Sequence, residues 1–378
     1  MLVNRKFRIG IIGAGTISSM HVQAYRRLGE QCEIVAAADL TEANARQLLI
    51  GNGIEGTSYG HYADLLKRDD IDVVSICTPP FAREDLVIAA LAAGKHVMCE
   101  KPFASSLEEC DRMLEAAQRY GMKLGVMLQT RCEEDVRRAR HLVETDALGP
   151  IVYARGANHH WRGDAYYNKA WRGTWERERG GTLMNLGIHT LDVMLWILGD
   201  LESVKAEAGT LAHNIETDDV NLALLKFRRG TIGEFVCTTT FPISGSRLEL
   251  SGKTSMVGCF PFEIAAAKEK ASGFPVEDRE AADELSRRAE EIKPGLDGFE
   301  GPIEDLFEAI REGREPVTGG QSVRRTVEAV TAIYKAATLD TAVKLPIGKD
   351  DPWYTTEGFH RLVRKATRQP DGRISQES

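Results

Sequence analysis

At 378 residues the chain is too long for one ordinary domain, and we expect two. Its 43% apolar and 28% charged residues are typical of a soluble globular protein. The formal net charge of −8 argues against nucleic acid as a partner, because a phosphate backbone attracts basic surfaces.

The seven cysteines are scattered, odd in number and without a CxxC pair. This usage favours reduced thiols in a cytoplasm over a disulfide or zinc framework. No apolar run approaches the roughly 18 residues of a membrane span, and no signal-peptide h-region is present. No cluster of metal-ligating residues has a convincing spacing, so we predict a cytoplasmic protein without a membrane segment or bound metal.

The first element in the chain predicts a dinucleotide site. Residues 7–12 form an apolar run typical of a buried strand, and Gly13-Ala14-Gly15-Thr16-Ile17-Ser18 follows at once. A helix is predicted from Ile17. Gly13 permits the tight turn, and Gly15 leaves the backbone amides open to a pyrophosphate at the helix N-terminus. Because Ser18 occupies the third glycine position, the match to the fingerprint is partial.

An acidic residue strengthens this interpretation. The next predicted strand, residues 33–38, ends in Asp39. A carboxylate there can accept hydrogen bonds from ribose hydroxyls and repels a 2′-phosphate, so we favour NAD over NADP. A helix N-cap is the alternative role of Asp39, and the two roles are compatible.

Strands and helices then alternate up to residue 128, which predicts a doubly wound parallel sheet. Ligands of such sheets bind beyond the carboxyl ends of the strands. Three polar segments follow predicted strands at that edge: Thr78-Pro79, Glu100-Lys101 and Gln129-Thr130-Arg131. We therefore assign residues 1–128 to a Rossmann domain that binds NAD(P).

A second candidate site follows in the next domain. A helix opened by Gly180-Gly181 carries Asn185 and His189, four residues apart and thus on one helical face. A lone histidine is more often a satisfied core residue, but its polar partner favours a functional role. Upstream, Trp171 and Arg172 belong to an aromatic loop suited to sugar rings and hydroxyls, although a loop packed on the domain surface is the plainer alternative.

Consecutive strands after residue 201 predict a largely antiparallel open sheet, so the second domain is α+β and spans residues 129–347. Residues 264–293 are charge-rich and predict an exposed helical excursion. A C-terminal tail covers residues 348–378, where basic residues indicate a solvated surface helix. The basic residues are Arg361, Arg364, Lys365 and Arg368.

These motifs resemble those of the Gfo/Idh/MocA oxidoreductase family, which includes glucose–fructose oxidoreductase and inositol dehydrogenase. The resemblance covers residues 5–347. It rests on the glycine loop, Asp39, Thr78-Pro79, Glu100-Lys101-Pro102 and the helix with Gly187, His189 and Asp192. The family implies a Rossmann domain followed by an α+β domain whose open sheet often mediates oligomerisation, so we expect a homo-oligomer, either a dimer or a tetramer.

The resemblance implies an NAD-dependent dehydrogenase that oxidises a secondary hydroxyl of a sugar, inositol or sugar derivative. Lys101 would accept the hydroxyl proton, His189 would assist, and Asn185 would orient the substrate or the imidazole. Many sugar-oxidising members have Asp at the position of Asn185, which cannot titrate. The other expected substrate contacts are Arg131, Trp171 and Arg172. The expected cofactor contacts are Gly13, Gly15, Thr16, Ile17, Asp39, Thr78, Pro79, Glu100 and Lys101.

Pro102 is expected to fix the backbone so that Lys101 faces the cleft, through a cis Lys101–Pro102 bond. Two other functions stay open at this stage. One is a hydrolase or lyase of the same family that oxidises transiently and returns the hydride to its substrate. The other is a sensor that binds a sugar or dinucleotide without catalysis, which retention of both Lys101 and His189 argues against.

Overall fold

The computed structural model describes residues 5–169 and 171–364. The strands are β1 Phe7–Ile12, β2 Cys32–Ala38, β3 Thr57–Tyr59, β4 Val73–Ile76, β5 His96–Cys99, β6 Leu124–Val126, β7 Tyr153–His159, β8 Leu201–Gly209, β9 Val220–Phe227, β10 Ile232–Thr238, β11 Gly245–Ser251, β12 Ser255–Cys259, β13 Glu263–Glu269, β14 Pro275–Glu277 and β15 Val343–Lys344. The helices are α1 Ser18–Arg27, α2 Glu42–Gly51, α3 Tyr62–Leu66, α4 Arg83–Ala92, α5 Leu107–Tyr120, α6 Glu134–Glu144, α7 Asp164–Tyr167, α8 Ile188–Leu198, α9 Arg279–Ala289, α10 Glu300–Glu312, α11 Gly320–Leu339 and α12 Thr356–Val363.

The chain forms two compact units. The first contains the residues up to Gln129 and the later segment Leu296–Val327, and the second contains Thr130–Gly295 and the residues from Glu328 onward. The sequence alone places all of residues 129–347 in the second domain. In the structure, the segment 296–327 instead packs with the first unit.

The first unit is built on a six-stranded sheet in the order β3-β2-β1-β4-β5-β6, and every pairing is parallel. β4 is buried along its whole length, which explains why its sequence is apolar except for Ser75. This sheet confirms the predicted doubly wound fold. The order reverses at β1, so β2 and β4 flank the strand that leads into the glycine loop.

Local signals explain where the helices of this unit begin and end. The Ser106 hydroxyl accepts the Glu109 N–H at 3.1 Å and caps α5, as the Ser-x-x-Glu spacing predicts. Gly121 ends that helix with a φ of +67°. The late helix α10 joins the core through Phe307, whose ring stacks on Phe7 at 4.4 Å between centroids.

The second unit contains a nine-stranded sheet in the order β14-β13-β12-β11-β7-β10-β9-β8-β15. All its pairings are antiparallel except that of β7 with β10, which confirms the predicted largely antiparallel sheet. Along β9 the side chains alternate between buried and exposed, so one face of the sheet is covered and the other is open. Arg229-Gly230 lies in the turn between β9 and β10, with Gly230 at a φ of +96°.

Two predictions for this unit need correction. The segment 264–293 is not wholly helical, because β13 and β14 precede α9 and extend the sheet. The C-terminal helix α12 is not simply solvated, since Phe359 and Val363 on it are buried. Lys365 and Arg368 lie outside the described residues. Within the described parts of the chain, no helix is long and apolar enough to cross a membrane.

Candidate active site

The glycine loop lies where β1 leads into α1. Gly13 has a φ of +93°, and a Cβ there would lie 3.0 Å from the backbone carbonyl carbon of Cys77, so the turn requires glycine. A Cβ on the exposed Gly15 would meet nothing within 4 Å, which leaves its backbone open to a ligand. Thr16 is exposed, and no side-chain cap hydrogen bond forms at Ile17 among the described residues. The N–H groups at this helix end therefore suit a phosphate.

Asp39 connects the end of β2 with the glycine loop. Its Oδ2 accepts the Ala14 N–H at 2.9 Å, while Oδ1 accepts the Thr41 N–H at 3.0 Å and the Asn44 side-chain amide at 3.2 Å. Thr41 rather than Asp39 is the N-cap residue of α2. The carboxylate is thus held beside the loop, where an acceptor for ribose hydroxyls is needed.

Thr78 and Pro79 follow β4 on the other side of the loop. The Thr78 Cγ2 lies 3.0 Å from where a Gly13 Cβ would be, so the two segments are in close contact. The buried Thr78 Oγ1 has no hydrogen-bond partner among the described residues, whereas Pro79 is exposed. A buried hydroxyl without a partner is unfavourable in the protein alone and suits a polar ligand. These residues therefore fit a dinucleotide.

Glu100 is buried at the end of β5 in a polar network. Its Oε1 lies 2.8 Å from the His21 Nε2, and the His21 Nδ1 lies 2.8 Å from the Ser75 Oγ. Burial disfavours the imidazolium, but Cys77 and Glu100 outweigh it and raise the pKa of His21 to about 10. Burial would raise the pKa of Glu100, yet His21 and other nearby cations lower it. The pair is therefore ionic: a carboxylate held by an imidazolium.

Lys101 is half-buried and follows directly. Its backbone N–H donates to the Glu100 Oε2 at 2.9 Å, and the Lys101–Pro102 peptide bond is cis, as expected. The buried Arg83 guanidinium donates to the carbonyl oxygens of Thr78, at 2.9 Å, and of Pro102. It ties the loops after β4 and β5 together. The first unit thus brings the glycine loop, Asp39, Thr78 and Glu100-Lys101 to one edge of its sheet.

In the second unit, Asp218 holds the start of the predicted Asn/His helix. Its carboxylate accepts the N–H groups of Gly181 and Leu183, each at 3.1 Å, and the Tyr334 hydroxyl at 2.7 Å. A Cβ on Gly181 would lie 2.0 Å from the Asp218 carbonyl oxygen, so only glycine fits there. Burial raises the pKa of Asp218 to about 6.

The helix begins with a π turn over Leu183–Gly187, and α8 follows. Asn185 lies in the wider turn, so the four-residue spacing to His189 does not guarantee the shared face that an α-helix would give. The half-buried His189 has its Nδ1 3.5 Å from the Thr130 Oγ1. Single π turns occur frequently at functional sites.

Arg131 has a different environment from the one predicted. Its guanidinium forms a two-pronged ion pair with Asp192, with Nε and Nη2 each 2.6 Å from a carboxylate oxygen. Both side chains are 0–1% exposed. Such a buried pair positions α8 and does not support the predicted contact between Arg131 and substrate.

Trp171 and Arg172 lie together with Asn185 in one polar cluster. The Arg172 guanidinium carbon lies 3.9 Å from the Tyr166 ring centroid and 4.4 Å from that of Trp171. The Glu178 Oε1 accepts hydrogen bonds from the Asn185 Nδ2 at 2.7 Å and from the Arg172 Nη1 at 3.2 Å. The loop therefore contributes a charged and aromatic cluster around the Asn185 side chain.

Sequence reasoning missed four residues that organise these sites: His21, Arg83, Glu178 and Asp218. His21 is on the buried face of α1, a position that usually indicates core packing. Glu178 belongs to the charged run Glu176-Arg177-Glu178-Arg179, which resembles a solvated loop. Only its place next to the predicted Gly180-Gly181 turn could have drawn attention to it.

The parallel sheet, the glycine loop and Asp39 define a dinucleotide-binding Rossmann domain. Residues 7–128 match the GFO_IDH_MocA model, described as an oxidoreductase family with an NAD-binding Rossmann fold, and residues 136–257 match the GFO/IDH/MocA C-terminal domain. The chain therefore belongs to the Gfo/Idh/MocA oxidoreductase family.

Characterised proteins are similar over most of their lengths. Inositol 2-dehydrogenase of Salmonella typhimurium is 26% identical over 332 residues, which are 86% of this chain and 92% of that protein. Trans-1,2-dihydrobenzene-1,2-diol dehydrogenase of Oryctolagus cuniculus is 29% identical over 281 residues, 71% of this chain and 82% of its own.

Solved structures share the fold. The WlbA dehydrogenase of Bordetella pertussis, in complex with NADH and UDP-GlcNAcA, is 27% identical with a TM-score of 0.79, covering 92% of this chain and 99% of its own. Levoglucosan dehydrogenase in complex with NADH has a TM-score of 0.78 at 22% identity, and the match covers 90% of this chain and 100% of that protein. At this identity the similarity concerns the fold alone.

Proposed function

We propose that the protein is an NAD-dependent dehydrogenase that oxidises a secondary hydroxyl of a sugar, an inositol or a sugar derivative. The observation that carries this proposal is the position of the half-buried Lys101 at the same sheet edge as the glycine loop. Its backbone N–H donates a hydrogen bond to the ionised Glu100 side chain. Membership of the oxidoreductase family and the similarity to inositol 2-dehydrogenase support it.

NAD, when bound, supplies the acceptor for the hydride. The glycine loop and the N-terminus of α1 would hold its phosphates, and Thr78, with its unpartnered hydroxyl, would supply a further hydrogen bond. Asp39 would accept hydrogen bonds from the ribose hydroxyls and would repel a 2′-phosphate, which favours NAD over NADP. Pro79, Thr16 and Ile17 would complete this surface.

Lys101 would accept the proton of the reacting hydroxyl as a general base. His189 would hold that hydroxyl or pass its proton to solvent, and Asn185 would orient the substrate. Trp171 and Arg172 would contact the remaining ring and its hydroxyls. Arg131 is left out of the substrate contacts because its guanidinium is buried against Asp192.

A substrate panel tests the proposal. The purified protein is incubated with NAD or NADP and, in turn, with inositols, aldoses, uronates and nucleotide sugars, and NADH formation is followed at 340 nm while products are identified by mass spectrometry. We expect net NADH formation with at least one neutral polyol or sugar. Cleavage without net NADH would instead identify the transient-redox hydrolase or lyase. Binding without either reaction would identify the sensor.

The Lys101 assignment has its own test. Lys101→Ala should lower kcat by about 100-fold or more, because a positioned general base contributes roughly 10²- to 10⁴-fold. The matched control is Lys67→Ala, since Lys67 is exposed directly after α3 and forms a surface ion pair with Asp64. Turnover in the folded Lys101 variant equal to that of the control would remove Lys101 as the base.

We also propose a homo-oligomer in a reducing cytoplasm. All seven cysteines are buried and none is assigned to a disulfide, which suits a compartment that keeps thiols reduced. The open face of the nine-stranded sheet carries exposed apolar side chains, which supports self-association.

A further inference from the structure

Glu178 is a buried carboxylate within the aromatic cluster of the second unit. Its side chain is 5% exposed, and it accepts hydrogen bonds from the Gly173 N–H, the Arg172 guanidinium and the Asn185 amide. An ionised carboxylate accepts hydrogen bonds and donates none. It therefore fixes the Asn185 amide with Nδ2 toward Glu178 and the carbonyl oxygen on the side away from it.

The same carboxylate compensates the charge of Arg172. The Arg172 Nη1 lies 3.2 Å from the Glu178 Oε1, and the guanidinium packs against the rings of Tyr166 and Trp171. Arg162 also lies over Tyr166, at 5.0 Å, but it is the Arg172 charge that Glu178 contacts directly. An acidic ligand that approached Arg172 would face the negative charge of Glu178 as well.

From this arrangement we infer that Glu178 is a specificity-determining positioning residue: it selects uncharged polyols and sugars over carboxylated ones at the Asn185–Arg172 site. The inference rests on the proposed dehydrogenase function. A neutral polyol requires hydrogen-bond acceptors and aromatic surface, which the oriented Asn185 and Trp171 provide. A uronate requires a cation whose charge is not compensated by the protein. Glu178 compensates the charge of Arg172, so the site offers no such cation.

The proposal predicts a pH dependence of selectivity. Burial raises the pKa of Glu178, and Asp218 acts in the same direction, while the Gly173 N–H, Arg172 and Asn185 oppose them. Because the net shift is upward, Glu178 should protonate at a higher pH than an ordinary glutamate. Acidification would then release Arg172 and weaken the preference for neutral ligands.

The test is a calorimetric measurement of binding to NADH-loaded protein, with myo-inositol and D-glucuronate as probes. Wild type should prefer myo-inositol. Glu178→Gln should weaken myo-inositol binding by about three- to tenfold, the loss of one hydrogen bond, and should strengthen glucuronate binding. Glu178→Asp, which keeps the charge, should retain the wild-type order, and Glu176→Gln in the same loop is the exposed matched control.

Wild-type measurements between pH 5 and 8 keep the proposal testable if Glu178→Gln does not fold. The ratio of the two dissociation constants should move toward glucuronate as the pH falls. A Glu178→Gln variant that loses affinity for both probes equally, or a wild-type preference for glucuronate, would overturn the inference. Selective binding of myo-inositol by a protein that forms no NADH with any member of the substrate panel would instead overturn the proposed dehydrogenase and leave the inference standing.

Discussion

Asp39 both shapes the glycine loop and, in the proposed function, selects the cofactor. Its carboxylate accepts the Ala14 N–H at 2.9 Å, so its loss should loosen the loop as well as remove the ribose acceptor. Asp39→Ala should raise the KM for NAD by about 10- to 100-fold, because hydrogen bonds to a charged group contribute roughly 1.5–3 kcal/mol. NADP should be affected far less, since the variant no longer repels a 2′-phosphate. Steady-state kinetics with both cofactors measure this.

Asp39→Asn serves as the control because its side-chain oxygen can still accept one hydrogen bond while the charge is gone. It should keep part of the NAD affinity and lose most of the discrimination against NADP. A ratio of kcat/KM for NAD to that for NADP that is unchanged in both variants would contradict the assignment of Asp39.

Single residues differ in how far the sequence could predict them. Asp39 and Gly13 were accessible because their roles follow from their position at strand ends, which a local pattern specifies. Glu178 was not, because its significance comes from Arg172 and Asn185, which approach it only after the loop and the π turn have folded. The buried ion pair of Arg131 was not predictable for the same reason: its partner Asp192 is 61 residues away in sequence.

The ion pair of Arg131 with Asp192 anchors helix α8 and predicts an asymmetric response to mutation. Both side chains are buried, so Arg131→Met alone should lower the free energy of unfolding by about 3–5 kcal/mol, because Asp192 is left charged without its partner. The double variant Arg131→Met, Asp192→Leu should recover most of that loss, since two apolar side chains avoid the desolvation of both charges. Urea unfolding of the wild type, both single variants and the double variant gives the coupling energy. Strictly additive losses would show that the pair is not coupled.

The cap of the same helix by Asp218 predicts a pH-dependent stability. Burial raises the pKa of Asp218 from 3.8 to about 6, so the folded protein binds this proton more tightly than the unfolded chain does. The group therefore favours the folded state most at low pH, and this contribution is lost as the pH rises from about 4 through 6. The change corresponds to on the order of 3 kcal/mol.

Asp218→Asn removes the titration and serves as the reference. The difference in unfolding free energy between wild type and Asp218→Asn should shift in favour of wild type as the pH falls from 7 to 4. Urea unfolding of both proteins at several pH values measures it. A difference that is constant over this range would contradict a raised pKa for Asp218.

Among whole elements, the sequence predicted those with strong local signals. Helix α5 begins after the Ser106 cap and ends at Gly121, and both are local sequence patterns. The segment 264–293 was predicted to be helical because it is charge-rich, yet β13 and β14 form at the edge of a sheet, where solvent-facing charged residues are compatible with strands. The charge pattern alone does not distinguish the two structures.

Which chain segments belong to each of the two units was the least predictable feature of the molecule. Residues 296–327 complete the core of the first unit through Phe307, which is 300 positions after Phe7, the residue on whose ring it stacks. No local pattern indicates that a chain returns to an earlier domain. Sheet architecture was predictable in both units because alternating helices and strands, or consecutive strands, each allow few topologies.

The open face of the nine-stranded sheet leads to the last prediction, which concerns assembly. Leu222, Leu224 and Ile232 are 49%, 60% and 61% exposed on β9 and β10. Charged residues lie beside them on the neighbouring strands: Leu224 pairs with both Lys205 and Glu234. A face that combines apolar side chains with both signs of charge can pair with a second copy of itself about a two-fold axis.

Leu224→Glu should disrupt such a pairing because it buries a new carboxylate beside Glu234, and like charges across strands repel. Analytical ultracentrifugation should show the wild type as a dimer or tetramer and the variant shifted toward a single chain, with an unchanged circular dichroism spectrum. Ile50→Glu is the matched control, because Ile50 is 69% exposed on α2 and belongs to the first unit, which does not contain this sheet. If the variant sediments like the wild type, or if the wild type itself is a single chain, the prediction of self-association through this face is wrong. A shift in Leu224→Glu but not in Ile50→Glu assigns the open sheet to the contact between subunits.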